Sequence, residues 1–244
     1  MPFPQLLSIV IPAWNEESVL DPTLAAVAAA RAALDIPSEV IVVDDVSADR
    51  TADIARACGA RVISVNLRQI AAVRNAGAKA AAGDMFLVVD ADTLVTPEAV
   101  RAAVEAVRAG AVGGGCAIRY SGRLPLYLRL FIPSEVWLAR RFRLAFGCFL
   151  FCTRAAFEAV GGFDSSLFAT EEVTLSQALG RQGRFICLRE CVWTSGRKLR
   201  THSTREWFAQ IYRITVARRK YVHDRAAMGV WYGDRRPDPE APEP

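Results

Sequence analysis

A doubly wound α/β fold, with a mainly parallel sheet flanked by helices, is what this sequence predicts, on three observations. Short runs that are apolar throughout recur along the first 110 residues, as strands buried on both faces require. Helical capping signals, rather than tight hairpin turns, follow these runs. Acidic residues stand just past three of them, and open sheets of this kind gather ligands at the carboxyl ends of their strands.

The first run, 6–12, holds Ile9, Val10 and Ile11 and stops at Pro12, which reads as a buried strand. Asp21-Pro22 then offers a cap and a first-turn proline to a helix over 24–34, sustained by alanines until Pro37. A second strand, 39–43, ends in Asp44-Asp45, and Ser47 or Asp49 caps a helix over 51–58 that closes near Gly59. A third strand (61–65), a helix (71–82) and a fourth strand (85–89) follow, then a helix opened by Thr96-Pro97-Glu98 that reaches Gly110. Residues 111–196 are less regular. They hold a strand-like stretch at 113–120, a basic aromatic segment to Arg143, a turn at Gly161-Gly162-Phe163-Asp164, a helix from Glu171 to Gly183 and a strand at 185–188. A basic helix is expected over 204–224 and a disordered tail over 237–244.

Composition narrows the function classes. Of the 244 residues 52% are apolar and 23% charged, with Gly 16 and Pro 12, so disordered, collagenous and low-complexity chains are excluded. The net charge of +4 is too small to imply a nucleic-acid partner, and none is expected. The charge is unevenly spread: residues 197–236 hold 11 Lys/Arg against 3 Asp/Glu, and 119–143 hold 6 against 1, which predicts a basic face on the C-terminal half. No apolar run approaches the roughly 18 residues of a membrane span, and residues 1–5 lack a basic leader, so a cytoplasmic location is expected. The six cysteines are expected as free thiols. The pairs Cys148/Cys152 and Cys187/Cys191 sit among apolar residues and read as small buried side chains rather than zinc ligands.

The rim of the sheet carries the chemistry. Pro12-Ala13-Trp14-Asn15-Glu16, Asp44-Asp45 and Asp90-Ala91-Asp92 put five carboxylates on one edge. Their mutual repulsion is costly unless a cation or hydrogen-bond donors offset it, so the rim reads as a metal and nucleotide site. Asp90 and Asp92, two apart on extended backbone, point the same way, and their hard oxygens suit Mg²⁺ or Mn²⁺.

Taken in order and spacing, several motifs resemble those of a family 2 glycosyltransferase over residues 6–184. They are Pro12-x-x-Asn15-Glu16, Val43-Asp44-Asp45-x-Ser47-x-Asp49-x-Thr51, Arg74-Asn75-x-Gly77, Asp90-x-Asp92, Gly161-Gly162-Phe163-Asp164 and Glu171-Glu172-Val173-x-Leu175. The resemblance implies the GT-A (nucleotide-diphospho-sugar transferase) fold, a UDP- or GDP-sugar donor, a divalent cation (Mn²⁺ or Mg²⁺) and inversion at the anomeric carbon. It implies one domain over 1–236, with a nucleotide-binding half (1–110), an acceptor-side half (111–196) and a basic helical segment (197–236). Pro12, Ala13, Asn15, Glu16 and one of Asp44 and Asp45 would contact the base and ribose, and Arg74 the base or the diphosphate. Asp92 would be the direct metal ligand, Asp90 would meet the ribose or the metal's waters, and His202 would be a third ligand. Arg197 and Lys198 would close on the diphosphate. Glu172 stands where the family has its catalytic aspartate, and Glu171 competes for that role. The chain also departs from the family at Val46, where a glycine is usual.

The segment from Tyr120 to Arg143 interleaves Leu126, Leu130, Trp137 and Leu138 with arginines, and the tail adds Trp207, Phe208, Tyr212 and Tyr221. Two readings stand. These residues either touch anionic headgroups at the inner face of the cell membrane, which fits a lipid or lipid-linked acceptor, or cover the sheet or a dimer surface. Two other functions compete: a nucleotidyltransferase, which would need a Gly-rich basic loop after the first strand where this chain has none, and a degenerate GT-A module that binds a membrane or protein partner.

Overall fold

The structure, a computed structural model, describes residues 4–122, 137, 141–142, 144–145, 147–233, 236 and 238. In the first half the elements are β1 (Leu7–Ala13), α1 (Glu17–Ala32), β2 (Ser38–Asp45), α2 (Thr51–Ala57), β3 (Arg61–Val65), α3 (Ile70–Ala80), β4 (Met85–Val89), β5 (Thr93–Leu94) and α4 (Pro97–Arg108). The second half contributes β6 (Ala111–Ser121), β7 (Phe149–Thr153), α5 (Arg154–Ala159), α6 (Glu171–Gln182) and β8 (Arg184–Ser195). Short helices finish the chain: α7 (Arg197–Thr201), α8 (Thr204–Thr215), α9 (Arg218–Tyr221) and α10 (Gly229–Tyr232).

The eight strands of the described residues join one sheet in the order β3-β2-β1-β4-β7-β6-β8-β5. The first four are parallel; β1, β2 and β4 are buried along most of their length, as strands covered on both faces are, and β3 is the partly exposed edge. Alternate residues of each central strand feed two separate cores. Leu7, Ile9, Ile11, Met85, Leu87 and Val89 pack with α1 and α4, whereas Val10, Phe86 and Val88 pack with α3, α5 and α6. Burying each of these side chains contributes roughly 1.5–3 kcal/mol, so both layers are anchored by the same strands.

Gly77 decides how closely α3 approaches. A Cβ there would lie 2.3 Å from Val10 Cγ1, so only glycine lets the helix rest on β1 and carry Arg74 into the interior. Asn75 fixes the acceptor-side turn: its amide accepts from Phe163 N at 2.9 Å and donates to Phe163 O at 2.8 Å.

Several elements differ from the sequence reading. Helix α1 begins at Glu17 and includes Pro22, because the carbonyl of Glu16 accepts the amides of Val19 and Leu20 and the first turn is braced by the next loop. Strand β7, inside the apolar stretch 145–152, is antiparallel to both β4 and β6, and β5 pairs antiparallel with β8, so the second half of the sheet is mixed. The expected helix over 204–224 breaks after Thr215 and resumes at Arg218. Most of the 120–143 segment lies outside the described residues, as does most of the tail, although Arg200 holds Asp238 through two bonds of 3.0 and 2.5 Å. The six cysteines are free, with Cys116, Cys148 and Cys152 buried.

Candidate active site

The carboxyl ends of β1, β2 and β4 meet at one edge of the sheet, with Ala13 opposite Asp44. Asn15 adopts φ +51°, a conformation asparagine tolerates, and braces this edge. Its amide N donates to Ser47 Oγ at 3.0 Å and its side-chain oxygen accepts from Ala48 N at 2.8 Å. Glu16 N donates to Thr51 Oγ1 at 2.9 Å. Asn15 and the Ser47–Thr51 pattern thus lock the first two loops together. Between them Val46 is held at φ +53°, strained for a β-branched residue and suited to the glycine that the family usually has.

The two aspartates of the second loop have different surroundings. Asp45 accepts from Leu67 N at 2.7 Å and so positions the loop after β3. Asp44 is 6% exposed and its buried Oδ1 has no hydrogen-bond partner among the described residues. A buried acceptor left in this state costs about 1–3 kcal/mol unless a ligand donor meets it. Just beyond, the Arg68 guanidinium stacks 3.6 Å over the Trp14 ring. That pair did not figure among the sequence candidates, although an aromatic in a rim loop was a signal for it.

Arg74 is not a surface charge. It is 3% exposed, donating from Nη1 to Glu171 Oε1 at 2.6 Å and from Nη2 to Asp90 Oδ1 at 2.9 Å. In this arrangement its guanidinium bridges two carboxylates, one of them, Asp90, on the rim. Burial works against its charge, but Asp90 and Glu171 hold it protonated.

Asp92 lies half-buried beside the β8 loop, with Thr194 Oγ1 3.4 Å from its Oδ1 and Ser195 N donating to its backbone oxygen at 3.1 Å. Desolvation pushes its carboxyl up, and Glu16 and Asp90 add to that, while Lys198 and Arg197 pull it down. A crowded negative edge of this kind is what a dication relieves. Among the described residues no three His, Cys, Asp or Glu side chains stand together as a metal-holding group. Two carboxylates nevertheless fit Mg²⁺ or Mn²⁺, since such ions take one or two protein carboxylates and complete their shell with phosphate oxygens and water. His202 has its Nδ1 3.1 Å from Lys198 O and its ring edge-on to Trp207. Arg197 donates to Glu16 Oε2 at 2.7 Å, which draws the 195–198 loop over the first loop.

Glu171 and Glu172 open α6 after Thr170, itself left-handed at φ +64°. Glu171 is 5% exposed and committed to Arg74. Burial and the neighbouring Glu171 charge push Glu172 well above the usual carboxylate range, against a smaller pull from Arg74. Of the two, Glu171 is the one engaged by Arg74, and Glu172 is partly exposed.

A mixed eight-stranded sheet flanked by helices, with carboxylates gathered at the strand ends, has the architecture of the GT-A class of folds. The chain belongs to glycosyl transferase family 2, whose family model matches residues 8–157. The undecaprenyl-phosphate 4-deoxy-4-formamido-L-arabinose transferase of Pseudomonas paraeruginosa is 35% identical over 118 residues, 45% of this chain and 34% of that protein. Validoxylamine A glucosyltransferase of Streptomyces hygroscopicus subsp. jinggangensis is 35% identical over 130 residues, 49% of this chain and 30% of its own. The chain thus spans about a third of the length of these relatives. Among solved structures, a mannosyltransferase from Pyrobaculum calidifontis in complex with GDP-Man and Mn²⁺ superposes with a TM-score of 0.67 at 18% identity, over 95% of this chain and 72% of that one. The matched family region ends before α6, so Glu171 and Glu172 lie beyond it.

Proposed function

We propose that this chain is a metal-dependent, inverting glycosyltransferase that moves a sugar from a UDP- or GDP-sugar to a lipid-linked acceptor at the inner, cytoplasmic face of the cell membrane. The observation that carries this reading is the single guanidinium of Arg74 joined to both Asp90 and Glu171. It ties the edge that would hold the donor diphosphate to the first turn of the helix that carries Glu172, the proximity that one displacement step requires.

In this reading Asp44 accepts from an N–H of the base or a hydroxyl of the ribose, with Pro12, Ala13 and the Trp14–Arg68 stack shaping the pocket around the base. Asp92 is the direct metal ligand, with Asp90 beside it. The cation, when bound, offsets negative charge on the departing nucleoside diphosphate. Lys198 and Arg197 face the same diphosphate from the β8 loop. Glu172 takes the proton from an acceptor hydroxyl as that oxygen attacks the anomeric carbon from the side opposite the leaving group, which inverts the configuration. The curated arabinose transferase is named for a lipid phosphate, which supports a lipid-linked acceptor here.

The test is a thermal-shift panel of UDP, GDP, dTDP and CDP with and without Mn²⁺, because a ligand that binds only the folded state raises the midpoint. A metal-dependent shift with UDP or GDP is expected and names the donor base. A flat response to all four nucleotides would remove the transferase reading in favour of a degenerate binding module.

A further inference from the structure

Helix α8 carries two apolar faces, and its inward one is plain. Gln210 is 1% exposed and donates to Met228 Sδ at 2.9 Å, Trp207 meets Trp231 edge-on at 6.2 Å, and Ile214 packs against Ala169, Ala227 and Met228. A second stripe runs through Phe208, Ile211, Tyr212 and, just past the helix end, Val216, which are 56%, 43%, 56% and 73% exposed. Surface helices ordinarily place polar residues there, so an apolar stripe at helical spacing marks an interaction surface.

We infer that this stripe docks the protein on an anionic lipid surface beside the acceptor side of the site, an inference that rests on the lipid-linked acceptor proposed above. Charge selects the occupant. Residues 197–236 carry 11 Lys/Arg against 3 Asp/Glu, and Arg205, Lys220 and Arg225 are exposed within that segment. One of the three acids, Glu206, is already held by Arg236 at 2.6 Å. A second copy of the chain would set this positive surface against itself, whereas anionic headgroups complement it and accept the apolar side chains beneath.

Position supports the same occupant. The inward face of α8 packs on Ala169, one residue before the left-handed Thr170 that opens α6. Phe168 N also donates to Val222 O at 2.7 Å, and the Tyr232 hydroxyl accepts from Ile70 N at 3.3 Å. The C-terminal helices and the start of the base-bearing helix are therefore one packed unit. Lipid held against the stripe would bring a headgroup-linked acceptor to the side of the molecule where Glu172 lies. Trp137 and Phe142, in the other basic aromatic segment, are 61% and 60% exposed.

The experiment is co-sedimentation of the whole chain with vesicles of mixed phosphatidylglycerol and phosphatidylcholine against phosphatidylcholine alone. It compares the wild type with Tyr212→Glu/Val216→Glu and with Tyr212→Ser/Val216→Ser, using nucleotide-induced thermal shift as the control for folding. Binding to the anionic vesicles that weakens with salt, and a loss of about tenfold or more in both double variants, is expected. Wild-type binding that neither variant weakens, no binding at low salt, or a wild-type dimer that the variants split would each overturn the inference. Transfer to a short-chain polyprenol-linked acceptor that bears a free hydroxyl, in solution, separates the two readings. Transfer without vesicle binding removes the docking surface alone, and vesicle binding without transfer removes the lipid-linked acceptor alone.

Discussion

Arg74 and Glu171, 97 residues apart in the chain, meet at 2.6 Å with both side chains almost closed to solvent. With Asp90 on its other nitrogen, Arg74 ties α3, the β4 loop and the first turn of α6 to one charge. Replacing a buried pair as a unit is often harmless, but removing one partner strands the other. Arg74→Met should therefore lower stability by about 3 kcal/mol or more, because Glu171 is left buried without its cation. Urea denaturation checks this, and a change below about 1 kcal/mol would mean that Glu171 finds another donor or takes up a proton at little cost.

Glu172 yields a prediction in pH as well as in rate. Its carboxyl is raised above the 4.5 of a free glutamate by burial and by Glu171, while Arg74 opposes the rise. A carboxyl with a raised folded pKa adds its stabilisation fully below the unfolded value and loses it as pH climbs through the folded one. Wild-type stability should thus fall relative to Glu172→Gln as pH rises from about 4.5 into the alkaline range. Turnover with a hydroxyl acceptor should climb over the same window, because the base works only when ionised. Glu172→Gln should keep donor affinity, lose that pH limb and lower the rate by roughly a hundredfold or more. Full turnover in this variant would assign the proton transfer elsewhere.

The parallel half of the fold was legible in the sequence because β1, β2 and β4 are apolar along most of their length and its helices carry their own signals. Thr96 accepts from Ala99 N at 3.1 Å, as the Thr96-Pro97-Glu98 start predicts. The antiparallel half was not. Phe149 to Thr153 reads as another apolar run, and nothing local says that β7 enters between β4 and β6 in the opposite direction. In the site, the sequence marked Asp44, Asp90, Asp92, Arg74 and both glutamates as candidates but not their partners. That Arg74 closes on Glu171, that Asp45 serves the Leu67 amide, or that Arg68 covers Trp14 depends on contacts between loops far apart in the chain. Side-chain type fixes which charge is present, whereas tertiary packing decides which opposite charge it meets.

Asp44 should show opposite effects on stability and binding. Its buried Oδ1 meets no hydrogen-bond donor among the described residues, so Asp44→Asn removes a desolvated charge without changing side-chain shape. The variant is expected to be as stable as wild type or more so, and to lose most of the nucleotide-induced thermal shift. Undiminished shifts with UDP and GDP would take Asp44 out of the nucleotide site.

Asp92 is the proposed seat of the metal dependence. Its carboxyl sits among Glu16 and Asp90 with Lys198 and Arg197 nearby, so a cation relieves its repulsion while the loss of the side chain relieves the crowding itself. Asp92→Ala should fold normally and should no longer respond to Mn²⁺ in nucleotide binding. Metal-dependent binding that survives the substitution would transfer the direct ligand to another group.

Val46 carries backbone strain next to that site. Its φ of +53° places a β-branched residue in the left-handed region, at an exposed loop position where its side chain gains little from packing. The left-handed conformation costs an L-residue about 1–2 kcal/mol, and glycine forfeits part of the relief through its own chain entropy. Val46→Gly should therefore raise stability by about 1 kcal/mol, measured as a higher urea midpoint at unchanged slope. Asn15 accepts the Ala48 amide just beyond Val46, so the same substitution should leave the two loops joined and the nucleotide shift intact. A drop in stability would mean that the Val46 side chain makes apolar contacts outweighing its backbone strain.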